Sequence, residues 1–148
     1  MKRYWRLEMK NVFEICPIGF IRKKNDTVLI EIDVKYHDAF LGLKQFSHIN
    51  VLYWFHENDN PENRNTMQVH PCGIKTNPLT GVFATHSPHR PNLIALSLCK
   101  ILSIDGTTIK VDKIDAFDGS PVIDIKSFFP TRLSIPDVRV PDWERKKD

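Results

Sequence analysis

Thr27 to Lys35 reads TVLIEIDVK, and its strict alternation sets Val28, Ile30, Ile32 and Val34 on one face and Glu31, Asp33 and Lys35 on the other. A period of two, carried by β-branched residues, marks a half-buried strand. Two longer apolar runs extend the pattern. Phe46 to His56, FSHINVLYWFH, has few breakers and reads as a central strand. Leu93 to Ile104 is nearly continuous, and Asp105-Gly106 joins it to TTIKVDKI, a strong hairpin signal. Upstream, FEICPIGFI (13–21) is interrupted by Pro17 and Gly19, which suits an edge strand or a bulge. Only YHDAFLGLKQF (36–46) looks helical, with a cap expected at Asp38. Residues 57–81 turn rich in Asn, Pro, Asp and Gly and mark a long exposed excursion, while Pro130, Pro136 and Pro141 predict an extended C-terminal tail. These elements sum to a mainly β fold, a small closed or partly closed β-barrel with a short helix and a tail available to pack on a second subunit.

The composition agrees with one compact domain. The 148 residues are 41% hydrophobic and 26% charged, which excludes a disordered polyelectrolyte or a low-complexity scaffold. No uncharged apolar stretch reaches the ~18 residues of a membrane-spanning helix; the greasiest run contains Lys100. The opening MKRYWRLEMK lacks the apolar core of a secretory signal, so a cytoplasmic protein is expected. Cys16, Cys72 and Cys99 are read as thiols, since three cysteines do not all pair within one chain. The net charge of +3 is mild but concentrates at the tails, where basic residues interleave with Tyr4, Trp5 and Trp143. Such tails either steer and stack a polyanion or are simply solvated or packed on a partner.

Three stretches have compositions suited to chemistry. GVFATHSPHRPN (81–92) concentrates His86, Ser87, His89, Arg90 and Asn92 in a loop stiffened by Pro88 and Pro91, which presents polar groups at small entropic cost on binding. FDGSPVIDIK (117–126) opens on a turn whose glycine permits a ligand to approach the backbone, with Asp115, Asp118 and Asp124 nearby. His56-Glu57 ends the aromatic strand and suits the mouth of a barrel. Each also has a plain structural reading as a turn or strand end. His70, Cys72, His86 and His89 are permissible zinc ligands, but their spacing matches no familiar pattern, and no metal is expected. Nucleotide-loop and hydrolase signatures are missing from the sequence.

PIGFIR (17–22), FSHINVLYWFH, GVFATHSPHRPN with ALSL (95–98) behind it, and FDGSPVIDIK stand in the order of the signature segments of the TrmO family, also called TsaA-like or YaeB-like. The chain resembles that family over residues 15–130. The resemblance implies one TsaA-like domain over 1–148, with a core at 13–130 and a tail at 131–148. It implies a dimeric β-barrel methyltransferase that uses S-adenosylmethionine and methylates N6 of N6-threonylcarbamoyladenosine beside the tRNA anticodon.

Carried over by motif, the resemblance places cofactor contacts at His56, Glu57, His86, Leu96, Ala116, Phe117, Asp118 and Gly119. Ser87, Arg90 and Asn92 fall to loop ordering or substrate contact, and Asp118 is the expected acceptor of the proton leaving N6. The expected partner is the anticodon loop of tRNA. This chain departs from the family pattern at His86, where arginine is usual, and at Leu93 and Ala95, where proline and glycine are usual. Lys23-Lys24-Asn25-Asp26 leads directly into the next strand, where longer bacterial members carry a proline-rich insertion. These departures keep open a second reading as a non-catalytic S-adenosylmethionine or nucleotide-binding module, with a metal-binding protein as a third.

Overall fold

The computed structural model describes residues 12–130 and 137–145. Six strands close a barrel: β1 (Gly19–Lys24), β2 (Thr27–Ile32), β3 (His48–Trp54), β6 (Ile94–Asp105), β7 (Thr108–Val111) and β8 (Pro121–Ser127). Their order around the ring is β1-β2-β7-β6-β3-β8, with antiparallel pairing throughout. β4 (Gln68–Val69) and β5 (Thr80–Gly81) form a separate ribbon, and α1 (Pro61–Asn65) and α2 (Asp142–Arg145) are short helices.

The two-residue period decides what lies inside. Ile21, Ile30, Ile49, Val51, Ile109, Val111, Val122 and Cys99 point inward and are fully buried or nearly so. Cross-strand neighbours match these side chains face to face: Ile21 with Ile30, Ile30 with Ile109, Val28 with Val111, and Ile49 with Cys99. Ala95, where the family pattern has glycine, pairs with Tyr53, and both are buried; a small side chain leaves room for the ring.

Closure rests on β1 and β8. Gly19 pairs with Val122, and the Ile21 amide donates to the Ser120 carbonyl at 2.9 Å. A Cβ on Gly19 would lie 2.1 Å from the Glu31 carbonyl oxygen, so only glycine lets β1 and β2 approach here. The ring is complete, so β1 is not the edge strand expected from FEICPIGFI, and residues 13–18 precede the strand.

Other local expectations shift. Asp105 pairs with Thr108 across a two-residue turn of Gly106 and Thr107, with Gly106 at φ 57°, so the hairpin is present one position later than the Asp-Gly pair suggested. Val34, expected on the buried face, lies beyond β2 and is 76% exposed. The segment read as a helix forms two 3-10 turns, Val34–Phe40 and Leu43–Gln45, separated by Gly42 at φ 84°. Its cap is Asp33, whose Oδ1 accepts from the Lys35 amide, rather than Asp38. The tail expected to be extended contains the helical turn α2. No helix among the described residues is long and apolar enough to cross a membrane.

Candidate functional site

The strand register gathers the chemistry at one end of the barrel. β3 ends there at Trp54, opposite the start of β6 at Ile94, and Tyr53 pairs with Val122 near the start of β8. The segments 55–60, 82–93 and 112–120 therefore emerge together, and the end of β1 joins the last of them through Lys23. Three stretches far apart in sequence become neighbours because each is the connection at the same end of adjoining strands.

Hydrogen bonds set each connection in place. The Tyr53 hydroxyl, inside the barrel, donates to the Asp115 carbonyl and lies 3.2 Å from Ser97 Oγ. Burial pushes its pKa up; the Ser97 hydrogen bond opposes this, while Asp115 and Cys99 add to the rise. The Lys23 amide donates to Asp118 Oδ1 at 2.8 Å, and Lys23 Nζ donates to the Ile114 carbonyl at 2.9 Å. Gly119, at φ 77° with open space around it, lets the turn reverse into β8.

The loop before β6 is ordered largely by its own side chains. The Ser87 amide donates to Thr85 Oγ1, the His89 amide to Ser87 Oγ, and Arg90 Nη1 to the carbonyls of Thr85 and Ser87. Ser87 and Arg90 thus have their observed partners within the loop, whereas His86 is exposed. His56 and Glu57 occupy a 3-10 turn directly beyond β3, with His56 Nε2 4.0 Å from Glu57 Oε1. The Nδ1 atoms of His56 and His89 are buried and without a hydrogen-bond partner among the described residues. Leu96 stands apart on the outer face of β6, more than half exposed.

A cluster that the sequence did not announce fastens two of these connections. Arg64, in α1, donates from Nε to Asp59 Oδ1 at 2.8 Å and from Nη1 to the Pro91 carbonyl at 3.1 Å. Its guanidinium lies 5.5 Å from the centre of the Trp54 ring, and Trp54 Nε1 donates to Asp59 Oδ2 at 3.0 Å. Arg64, then Trp54, holds the Asp59 carboxyl below its ordinary range. The only local sequence hint is Asn60-Pro61, a helix start: the Asn60 side chain caps α1 and Pro61 is its first residue.

Trp54 and Arg64 also line a cavity of about 760 Å³ outside the barrel, with Asn92, Ile94, Pro121 and Ile123 on its walls and Val12, Phe13, Ile15 and Pro17, from the segment before β1, completing them. Of the residues expected to touch ligand, Asn92 is the one that lines this cavity. His70, Cys72, His86 and His89 do not assemble as a metal site; no group of three or more His, Cys, Asp or Glu side chains among the described residues is arranged to hold an ion. His70 Nδ1 is instead within hydrogen-bonding distance of the Asn77 carbonyl, at 2.8 Å.

The tRNA-methyltransferase O N-terminal domain model matches residues 9–132, a span that contains the whole barrel and the segments 55–60, 82–93 and 112–120. The chain belongs to this family. It is 47% identical over 124 residues to a probable S-adenosyl-L-methionine-binding protein of Pyrococcus horikoshii, covering 84% of this chain and 88% of that one. A second such protein, from Methanocaldococcus jannaschii, is 41% identical and covered in full, against 86% of this chain. A tRNA (adenine(37)-N6)-methyltransferase of Escherichia coli is 35% identical over 80% of this chain, which spans 52% of that enzyme. A crystal structure of TrmO from Pseudomonas aeruginosa superposes with a TM-score of 0.69 at 25% identity, covering 90% of this chain and 62% of that one. The likeness to the shorter archaeal proteins thus runs nearly end to end, while the bacterial enzyme carries as much chain again.

Proposed function

We propose that this protein is an S-adenosylmethionine-dependent methyltransferase acting on N6 of the adenine at tRNA position 37. The observation that supports this most directly is the meeting, at one barrel end, of the His56-Glu57 turn, the His86 loop and the Ala116–Gly119 turn. That donor set suits the cofactor. Glu57, Asp115 and Asp118 supply negative charge toward a sulfonium, the orphaned Nδ1 of His56 awaits a polar partner, and the glycine turn leaves open space. His56, Glu57, His86, Leu96, Ala116, Phe117, Asp118 and Gly119 would hold it. When bound, it supplies an electrophilic methyl group.

The chain's own residues position the acceptor nitrogen and take up its proton. Asp118 is the assigned proton acceptor: its carboxylate is aimed by the Lys23 amide rather than left to rotate. Ser87 and Arg90 keep the substrate loop in shape through the bonds within it. The acceptor is taken to be N6-threonylcarbamoyladenosine or a related adenosine in the anticodon loop, the compartment the cytoplasm, and the folded unit a single domain. A homodimer is part of the same reading, because the outer surface of β6 also exposes Leu98 and Leu102, apolar side chains suited to a second copy.

A non-catalytic S-adenosylmethionine-binding module is the competing reading, favoured by His86, which offers fewer donors than an arginine and no permanent charge. Labelled methyl donor incubated with the protein and unfractionated tRNA, followed by nucleoside mass spectrometry, separates the two. Methylated adenosine derivatives support the enzyme; cofactor binding with no transfer to any RNA supports the module and removes the proposed reaction.

A further inference from the structure

The cavity outside the barrel adjoins the segments assigned to the cofactor. Trp54 lies two positions before His56, Ile94 two before Leu96, and Pro121 two after Gly119. Because β6, β3 and β8 run side by side in that order, these three wall residues line up at one barrel end. Whatever fills the cavity sits against the proposed cofactor segments.

The walls narrow the choice of occupant. Ile94, Pro121, Ile123 and the four wall residues from the segment before β1 are apolar, Trp54 offers a flat aromatic surface, and the guanidinium of Arg64 lies over that ring, fixed by Asp59 and Pro91. Fixed planar groups of this kind stack nucleobases. A volume of about 760 Å³ falls within the range of small-ligand pockets and admits a nucleoside. The Asn92 side chain makes no hydrogen bond among the described residues, although its backbone carbonyl accepts from the Ile94 amide and so holds the residue at the rim. A carboxamide N–H donates to adenine N1, an acceptor where guanine N1 carries hydrogen, so the pairing selects adenine over guanine and leaves the N6–H to Asp118.

We infer that this cavity is an adenine pocket that receives the acceptor base of the RNA, with Asn92 reading the base edge and the Trp54–Arg64 cluster providing the stacking wall. The inference rests on the proposed reaction only for the identity of the RNA. The shared chemistry is adenine, which both the acceptor and the methyl donor contain, so the test separates them.

Fluorescence anisotropy without methyl donor compares a labelled anticodon stem-loop carrying adenosine at position 37 with its guanosine twin. The pocket predicts preference for adenosine, lost with about tenfold weaker binding in Asn92→Ala. Ile123→Trp, which fills the cavity from β8, produces the same loss without touching the amide. Calorimetric affinity for S-adenosylmethionine stays within about twofold in both variants, since contact with the base is not contact with the donor. An adenosine preference that survives both changes overturns the inference. So does a fall in cofactor affinity with the RNA preference intact, which assigns the cavity to the donor's own adenine. Absence of methyl transfer alongside an intact adenosine preference removes the proposed reaction and leaves the pocket standing.

Discussion

The hydroxyl of Tyr53 donates from inside the barrel to the carbonyl of Asp115 in the connection between β7 and β8. This bond joins the hydrophobic interior directly to the turn that carries Ala116 to Gly119. The ring is buried against Ala95 and Val122 on the neighbouring strands and meets Phe55 edge-on at 5.9 Å, so the hydroxyl has little freedom to look elsewhere. Core packing therefore sets the position of an outer loop.

Tyr53→Phe keeps the ring and removes the tie. It leaves the Asp115 carbonyl without its donor and is expected to cost about 1–3 kcal/mol in urea denaturation. Cofactor affinity should fall as well, because the 112–120 connection loses its anchor. Unchanged affinity together with full stability would show that the loop is held by its other hydrogen bonds, those to Lys23 and Ile21 among them.

Arg64 joins the connection after β3 to the loop before β6. Its contacts are partly exposed and screened, so Arg64→Ala should cost only about 1 kcal/mol, while cofactor affinity drops through displacement of the two connections. Arg64→Lys should recover little, since one ammonium does not reproduce the fork that reaches both Asp59 and Pro91. The acid side adds a signature. Asp59 has a folded-state pKa below the ordinary value of 3.8, so it contributes stability that is present above that value and lost as pH falls through the folded one. Denaturation curves across that window should lose this acid-side dependence in Arg64→Ala.

Burial holds the Cys99 thiol up at about 11 from 9.0, and Asp112 adds to the rise. Its contribution to stability is complete below pH 9.0 and is lost as pH climbs through about 11, because the unfolded thiol ionises first. The raised Tyr53 group acts in the same direction. Stability should therefore decline on the alkaline side, and Cys99→Ala should flatten part of that decline. In the native protein at pH 8, a thiol-reactive dye should label the exposed Cys16 and Cys72 and spare Cys99. Rapid labelling at all three positions would contradict this burial.

His86 is exposed on a loop whose shape is set by Thr85, Ser87 and Arg90. Replacing it with the arginine of the family pattern adds a permanent charge and a fork of donors without disturbing those bonds. His86→Arg should tighten S-adenosylmethionine binding by about tenfold in calorimetry. Equal or weaker binding would remove this position from the cofactor contacts.

Periodicity alone sufficed for much of the barrel. The alternation in TVLIEIDVK, the aromatic run ending at Trp54 and the apolar run from Leu93 each became strands, and Val28, Ile30 and Ile32 face inward as expected while Val34 does not, because a period of two leaves few other ways to bury β-branched side chains within a strand. Local chemistry was less legible where distant chain took part. The break between the two 3-10 turns follows from Gly42, a local feature, but the closure that removes the β1 edge needs Gly19 to pass close to Glu31 and Val122 to arrive from far along the chain. Motif order marked the segments 56–57, 81–92 and 116–119, and Asn92 among them proved to line a cavity. The Arg64–Asp59–Trp54 cluster had no comparable mark, since its members are irregularly spaced.

What the amino-acid order determined by itself was the β character, the hairpin and the stretches rich in polar loop residues, all of which depend on neighbours within a few positions. Tertiary structure decided which loops meet. Antiparallel register places the end of β3 beside the starts of β6 and β8, and only that geometry lets Tyr53 reach Asp115, Arg64 reach Pro91, and one cavity form against segments scattered across the chain. Side chains far apart in sequence acquire a common function only when closure of the barrel fixes the distances between them.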